Sequence, residues 1–107
     1  METTIVRYKL KPGRVEENEQ LVKAVFRELH KESPEGFNYA TFKMEDGLSF
    51  THIVVNENSG STPLTSLPAF KKFQEGIKDR CDELPLVSHV TEIGSYGFFF
   101  AGTTENK

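Results

Sequence analysis

The sequence predicts an α+β fold in which two helices cover one face of a four-stranded antiparallel sheet. Segments with alternating apolar side chains are interrupted twice by segments whose apolar residues recur at helical spacing. One pair of predicted strands is joined by Asp46-Gly47, a tight-turn signal. The chain has 107 residues, a length that predicts one domain over residues 1–107.

The first strand and the first helix are predicted from the start of the chain. Residues 3–10 favour an extended conformation, and residues 14–31 carry apolar side chains at helical spacing with acidic residues in the first turns. Pro12-Gly13 separates the two segments. One face of the predicted strand carries Val6, Tyr8 and Leu10.

The second and third strands are predicted as a hairpin. Residues 37–44 and 48–55 alternate in polarity, and Asp46-Gly47 lies between them. In the third strand Phe50, His52 and Val54 share one face. An antiparallel pair with a tight turn is therefore the clearest local motif in the chain.

The second helix and the last strand follow a polar loop. Residues 56–66 lack an apolar period and are predicted as a long loop. Ser66 is the expected cap of the second helix, which ends near Arg80. Pro85 precedes the last strand, which is expected to start near Val87 and to continue through Ile93.

This order is β-α-β-β-α-β, the ferredoxin-like arrangement, which leaves one face of the sheet without helices. Apolar residues occupy both alternation phases of the strands, as Ile5, Tyr39, Ile53 and Val90 show. A face of this kind needs a second layer, because exposed apolar patches of that extent are uncommon in monomers. The sequence therefore predicts a homodimer that pairs through its sheet faces.

The C-terminal segment is too long for one straight strand. At about 3.3 Å per residue it would reach about 50 Å, well beyond a domain with a radius of gyration of about 13 Å. The favoured interpretation is that the aromatic residues Tyr96 to Phe100 cross to the partner as an arm. The alternative is a bend at Gly94 and Gly97.

Composition excludes several classes of partner. The formal net charge is −3 and the pI is near 5.6, so the chain lacks the basic surface that nucleic acids or anionic membranes require. No apolar run reaches the roughly 20 residues of a membrane helix, and the N-terminus does not resemble a signal peptide. We therefore expect a cytoplasmic protein. The single cysteine, Cys81, is expected to be a small buried apolar residue.

The chain resembles the dimeric α+β barrel superfamily, in particular the antibiotic biosynthesis monooxygenase-like (ABM-like) proteins. Three segments carry the resemblance: the Lys11-Pro12-Gly13 entry into the first helix, the hairpin of residues 37–55, and the segment Leu67 to Phe73 that opens the second helix. The resemblance implies a dimeric barrel that binds a small molecule and acts as a cofactor-independent monooxygenase or an isomerase on an aromatic or polyketide-like compound. The alternative is a non-catalytic ligand-binding or structural homodimer. The chain has no Trp, which argues against the haem-degrading members.

Candidate site residues follow from the resemblance, which implies a pocket between the sheet and the helices. His52 and Tyr8 are the candidate catalytic residues, because an imidazole can act as a base and a phenol hydroxyl can orient a polar ligand. For both, the alternative is a buried side chain that is satisfied by hydrogen bonds in the core. The candidate pocket walls are Val6, Phe26, Phe50 and Phe70. No metal-ligand spacing or cofactor-binding loop occurs, so neither a metal nor a cofactor is expected.

Overall fold

A computed structural model of the chain describes residues 2–57 and 62–97. The strands and helices follow the predicted order, with the second helix divided in two. Their bounds are β1 (Glu2–Leu10), α1 (Val15–Glu32), β2 (Phe37–Lys43), β3 (Ser49–Asn56), α2 (Pro68–Glu75), α3 (Ile77–Arg80) and β4 (Cys81–Val90). The predicted ferredoxin-like βαββαβ fold is confirmed.

The four strands form one antiparallel sheet in the order β2-β3-β1-β4. The predicted hairpin is present as β2 and β3. In its turn Gly47 has a φ of +74°, and the carboxylate of Asp46 accepts hydrogen bonds from the backbone N–H groups of Leu48 and Ser49, both at 2.8 Å. The Asp-Gly pair therefore fixes the turn and, through it, the register of the two strands.

The last strand differs from its prediction at both ends. β4 starts at Cys81 and not near Val87, so the predicted start after Pro85 is wrong. It ends at Val90, and residues 91–97 form no strand, so the predicted continuation through Ile93 is also wrong. The predicted arm of residues 96–100 lies largely outside the described residues.

A bulge in β4 explains why a proline is tolerated inside this strand. Arg7 pairs with Leu86, whereas Lys9 pairs with Glu83. The register of β4 against β1 therefore shifts by one residue between Glu83 and Leu86, the stretch that contains Pro85. β4 is an edge strand, and a proline at a bulge of an edge strand removes no ladder hydrogen bond. The proline therefore lies inside the strand and does not precede it.

The predicted second helix is interrupted at Gly76, between α2 and α3. The predicted cap is wrong, because the hydroxyl of Ser66 donates to the carbonyl of Pro63 within a short 3-10 helix, Pro63–Ser66. Leu67 occupies the N-cap position and supplies no side-chain acceptor. A carboxylate from α1 supplies an acceptor instead: Glu28 Oε1 accepts a hydrogen bond at 3.0 Å from the backbone N–H of Ala69, in the first turn of α2.

The hydrophobic core lies between the helices and one face of the sheet. Its buried side chains include Tyr8 and Leu10 from β1, Val25 from α1 and Phe73 from α2. Cys81 is buried in the same cluster, as predicted, and burial raises the pKa of its thiol. The helices therefore cover the face of β1 that carries Tyr8.

The opposite face of the sheet carries apolar side chains without a covering helix. Ile5 pairs with Ile53, and Leu86 pairs with Arg7, so these side chains share the outer face. Leu86 is 68% exposed. Within residues 2–57 and 62–97, no helix has the length and apolar character needed to cross a membrane.

Candidate functional site

His52 lies in the middle of β3 on the helix-covered face, and only 3% of its surface is exposed. Its Nε2 lies 2.8 Å from the hydroxyl oxygen of Tyr8 on β1. Its Nδ1 lies 2.7 Å from the hydroxyl oxygen of Tyr39 and 3.0 Å from that of Thr41, both on β2. The imidazole is therefore held on both sides by hydroxyl groups from the two neighbouring strands.

The contacts of Tyr8 extend this arrangement into the core. The side-chain amide of Asn18, on α1, donates to the Tyr8 hydroxyl at 2.9 Å. Nε of Arg80 donates to Oδ1 of Asn18 at 3.1 Å, and another guanidinium nitrogen donates to the carbonyl of Phe73 at 2.9 Å. A continuous chain of buried hydrogen bonds thus connects Arg80 to His52.

Arg80 is a buried cation at the inner end of this chain. It is 2% exposed, and its guanidinium carbon lies 5.3 Å from the centre of the Phe73 ring. Among the described residues, no carboxylate lies within 4.0 Å of it. Burial lowers the pKa of Arg80, but a guanidinium stays protonated in proteins. The chain therefore starts at a positive charge that is not paired within the described part of the protein.

Burial controls the protonation of the titratable groups in this cluster. It lowers the pKa of His52 to about 4, so the imidazole is neutral at neutral pH. It raises the pKa of Tyr39 to about 12, and it raises the pKa of Tyr8 well above the ordinary value for tyrosine. Both phenols therefore keep their protons, and the cluster contains neutral hydroxyl groups around a neutral imidazole.

A cavity of about 190 Å³ opens beside the cluster, between the sheet, α2, α3 and β4. Its walls are almost entirely apolar. Tyr8, Tyr39, His52 and Gln74 are the polar side chains among the described residues that line it. The cavity therefore presents a few polar groups on an apolar wall, the arrangement typical of small-molecule sites.

The structure brings four of the predicted site residues together around this cavity: Val6, Tyr8, His52 and Phe70. The other two predicted wall residues are not among its lining. Phe50 is buried beneath Tyr8, with ring centres 5.7 Å apart and nearly parallel planes, and Phe26 stacks on Tyr39 at 5.1 Å. Both therefore contact a tyrosine that lines the cavity without lining it themselves.

Sequence reasoning did not single out four residues of the hydrogen-bonded cluster: Asn18, Tyr39, Thr41 and Arg80. A signal for Asn18 was present, since its position falls on the apolar face of α1 with Val15 and Val22. Arg80 likewise follows Phe73 and Ile77 at helical spacing. A polar residue at such a position indicates a buried hydrogen bond.

Comparison with known proteins concerns the fold of the whole chain. No family model matches the chain, and no curated protein matches it either. Solved structures do match over nearly their whole length. A crystal structure of an antibiotic biosynthesis monooxygenase superposes with a TM-score of 0.72 at 13% identity, covering 88% of this chain and all of the other.

Two further solved structures show the same architecture. The structure of SnoaB, a cofactor-independent oxygenase from Streptomyces nogalater, has a TM-score of 0.67 at 14% identity, with 91% of this chain and 97% of that chain covered. A conserved protein from Methanosarcina mazei has a TM-score of 0.68 at 19% identity, with coverages of 85% and 91%. At these identities the likeness concerns the fold. The chain therefore has the ferredoxin-like α+β fold of the antibiotic biosynthesis monooxygenases, which confirms the resemblance at that level.

Proposed function

We propose that this protein binds a single-ring phenolic compound in the cavity beside His52 and oxygenates it without a bound cofactor. The observation that carries the proposal is the apolar cavity of about 190 Å³ with two tyrosine hydroxyls and an imidazole on one wall. An apolar cavity of roughly 150 Å³ can hold benzene, so the volume favours one ring over a polycyclic compound. The structural neighbour described as a cofactor-independent oxygenase supports the reaction type.

The proposed reaction needs no reductant other than the substrate. A phenol and one molecule of O₂ give a quinone and one molecule of water: one oxygen atom enters the ring and the other leaves as water. The electrons for both oxygen atoms come from the ring. The cavity walls would hold the ring beside O₂ with little water present, and the hydroxyl groups of Tyr8 and Tyr39 would hold the ligand oxygen. His52 keeps both hydroxyls in position through its two ring nitrogens.

Oxygen consumption tests this function. We expect purified protein to consume O₂ with a panel of single-ring phenols and hydroquinones, and labelled O₂ to place one oxygen atom in the quinone. The double variant His52→Ala, Tyr8→Phe should lose most of this activity, whereas Arg27→Ala, exposed on α1, should retain it. Absence of uptake with every compound would contradict the oxygenase proposal, and an unchanged double variant would contradict the roles of the two residues.

One observation favours a non-catalytic binding protein as the second candidate. Both ring nitrogens of His52 already contact hydroxyl groups of the protein, and the pKa of about 4 makes the imidazole a weak base. Such a cluster can serve as a fixed polar wall for a bound ligand. Native mass spectrometry separates the candidates: a co-purifying compound that survives unchanged in aerated buffer indicates a binding protein.

We also propose that the protein is a homodimer that pairs through the outer faces of its sheets. Ile5, Ile53 and Leu86 form an apolar surface there, and Val90 extends it along the edge strand β4. A second copy would remove this surface from water. The C-terminal strand of each copy would also contribute to this interface.

A further inference from the structure

A second space borders on the cavity that contains His52. It is an open groove of about 320 Å³ between the C-terminal part of α1 and the strand β2. Its lining includes the aromatic residues Phe26, Phe37 and Tyr39. Among the described residues, Tyr39 is the only one that lines both the groove and the cavity of about 190 Å³. The two spaces therefore adjoin at this tyrosine.

The side chain of Tyr39 contacts lining residues of both spaces. Its hydroxyl oxygen lies 2.7 Å from Nδ1 of His52, which lines the cavity but not the groove. Its ring stacks on that of Phe26, with ring centres 5.1 Å apart and an angle of 20° between the planes. The ring of Phe37 lies 6.2 Å from it. Phe26 and Phe37 line the groove but not the cavity, so the tyrosine side chain lies between the walls of the two spaces.

Two kinds of contact hold the Tyr39 ring in this position. The hydrogen bond to His52 fixes its hydroxyl end, and the stacked ring of Phe26 supports its face. If the ring turned away, the protein would lose both the stacking contact and a hydrogen bond to a buried imidazole. The ring is therefore a stable part of the cavity wall.

The volumes of the two spaces give this position a consequence for ligand size. A cavity of roughly 150 Å³ holds one benzene ring, so the cavity beside His52 has room for one ring and little more. A fused second ring needs additional space, and the groove offers it on the other side of Tyr39. Removal of the Tyr39 ring would therefore join the cavity to a space that is large enough for a second ring.

We propose that Tyr39 is a specificity-determining residue: its ring separates the cavity from the groove between α1 and β2 and thereby restricts the ligand to a single-ring phenol. This inference rests on the proposed function, because it names the residue that limits the size of the compound in the same cavity. The ring of Tyr39 sets the limit, whereas its hydroxyl group contributes to the binding of small and large phenols alike.

The relative affinities for phenol and 2-naphthol test the size limit in the wild type. Both compounds carry one hydroxyl group, but 2-naphthol has the larger apolar surface, so an apolar site without a size limit would bind it more tightly. We expect the opposite order, with phenol bound about tenfold more tightly than 2-naphthol in NMR titrations. Equal affinities, tighter binding of 2-naphthol, or no binding of phenol would overturn the inference.

Tyr39→Ala is the decisive variant, because it removes the ring between the two spaces. We expect it to reverse the order, so that 2-naphthol binds about tenfold more tightly than phenol. Tyr39→Phe keeps the ring and should bind both compounds more weakly in the wild-type order. Phe37→Ala is the matched control, since Phe37 lies on the same strand and lines only the groove. A wild-type order in Tyr39→Ala, or a reversed order in either of the other two variants, would overturn the inference.

Tyr39→Leu keeps the test informative if Tyr39→Ala fails to fold, because leucine retains apolar packing but is shorter than tyrosine. In this variant 2-naphthol should shift the backbone amide signals of Leu29 and Phe37, which line only the groove, together with that of Val54, which lines only the cavity. Phenol should shift the signal of Val54 alone. Shifts that stay confined to Val54 with 2-naphthol would overturn the inference.

Oxygen uptake distinguishes a failure of this inference from a failure of the proposed function. Protein that shows the expected affinities but consumes no O₂ would contradict the oxygenase proposal and leave the role of Tyr39 intact. Wild-type protein that consumes O₂ equally well with phenol and with 2-naphthol would support the oxygenase proposal and overturn the size limit.

Discussion

The carboxylate of Glu28 in α1 accepts a hydrogen bond at 3.0 Å from the backbone N–H of Ala69 in the first turn of α2. The N-cap position of α2 is occupied by Leu67, which has no side-chain acceptor. Glu28 therefore satisfies an N–H group that would otherwise lack a partner, and it places a negative charge at the positive end of the helix dipole. This contact joins α1 to α2, one of the helices that line the cavity.

Replacement of Glu28 should loosen the attachment of α2. We expect Glu28→Ala to lower the free energy of unfolding by about 1 kcal/mol, the usual effect of removing a helix cap. Urea denaturation followed by circular dichroism would measure it, with the exposed Arg27→Ala as the matched variant on the same helix. Equal midpoints for the two variants would show that the contact contributes nothing.

Gly76 makes room for the side chain of Arg80. A Cβ atom at Gly76 would lie 3.0 Å from a terminal nitrogen of the guanidinium, which is held in place by its two hydrogen bonds. We expect Gly76→Ala to lower the free energy of unfolding by about 1 to 2 kcal/mol through overpacking. Gly94→Ala is the control, because nothing lies within 4 Å of its added methyl group. If Gly76→Ala left the free energy of unfolding unchanged, the side chain of Arg80 would be free to move away from the added methyl group.

The contact between Arg80 and Asn18 should show strong energetic coupling. Arg80→Met leaves Asn18 Oδ1 and the carbonyl of Phe73 without a donor, and we expect a loss of about 3 kcal/mol. The double variant Arg80→Met, Asn18→Leu should lose about 1 to 2 kcal/mol less free energy of unfolding than the sum of the losses in the two single variants. Denaturant titrations of the double-mutant cycle measure this coupling.

An exposed ion pair provides the comparison for that cycle. Nε of Arg14 lies 2.8 Å from Oε1 of Glu17 on the surface of the protein, near the start of α1. Solvent screens such a pair, so its coupling should be much smaller than that of the buried pair. Additive losses for Arg80 and Asn18 would contradict the proposed continuity of the buried chain.

Stability should fall in mildly acidic solution because of His52. Its pKa in the folded protein is about 4, below the ordinary value of 6.5, so the unfolded chain binds a proton more readily between these two pH values. The stabilisation is therefore complete above about pH 6.5 and is lost as the pH falls towards 4, by about 2 to 3 kcal/mol. Urea denaturation of the wild type and of His52→Gln, at pH 7 and at about pH 4.5, would isolate this contribution.

The carboxyl group of Asp46 offers a control for the pH experiment. Hydrogen bonds from Ser49 and from the backbone N–H groups of Leu48 and Ser49 lower its pKa to about 2. Its contribution to stability is therefore present above its ordinary pKa of 3.8 and is lost only as the pH falls from there towards 2. Asp46→Asn should keep the wild-type change between pH 7 and about pH 4.5. A wild-type pH dependence in His52→Gln would contradict the assignment to His52.

The apolar outer face of the sheet predicts self-association. At micromolar concentration the protein should sediment with twice the 12.1 kDa mass of the chain. Ile53→Glu places a charge on that face, opposite Ile5, and should yield a folded particle of 12.1 kDa. Wild-type protein that sediments only at 12.1 kDa would contradict the dimer and the barrel arrangement that depends on it.

The sequence was sufficient to predict the faces of the elements but not all of their ends. Alternation placed Val6 and Tyr8 on one face of β1, and the Asp46-Gly47 turn placed His52 on the same side of the sheet. The start of β4 was mistaken because proline usually interrupts a strand. At a bulge in an edge strand it does not, and edge position depends on the order of all four strands.

The candidate site was predicted only in part for a related reason. His52 and Tyr8 are recognisable within single strands, whereas the contact between Asn18 and Arg80 joins residues 62 positions apart. Asn18 lies in a run of acidic residues that resembles a solvated helix surface. Its helical spacing with Val15 and Val22 places it on the apolar face of α1, but only the structure shows that its amide connects Arg80 to Tyr8.

The edge strand that contains the bulge at Pro85 forms a different part of the cavity wall from the strands that carry most of its polar groups. Pro85 and Val87 line the cavity from the edge strand β4, whereas the polar groups of the cavity wall, Gln74 excepted, come from β1, β2 and β3. Changes in the irregular edge would alter this wall of the cavity while the hydrogen-bonded cluster on the other strands keeps its contacts. Descendants of this chain would thus change the shape of the cavity by altering one strand while they retain the same buried cluster.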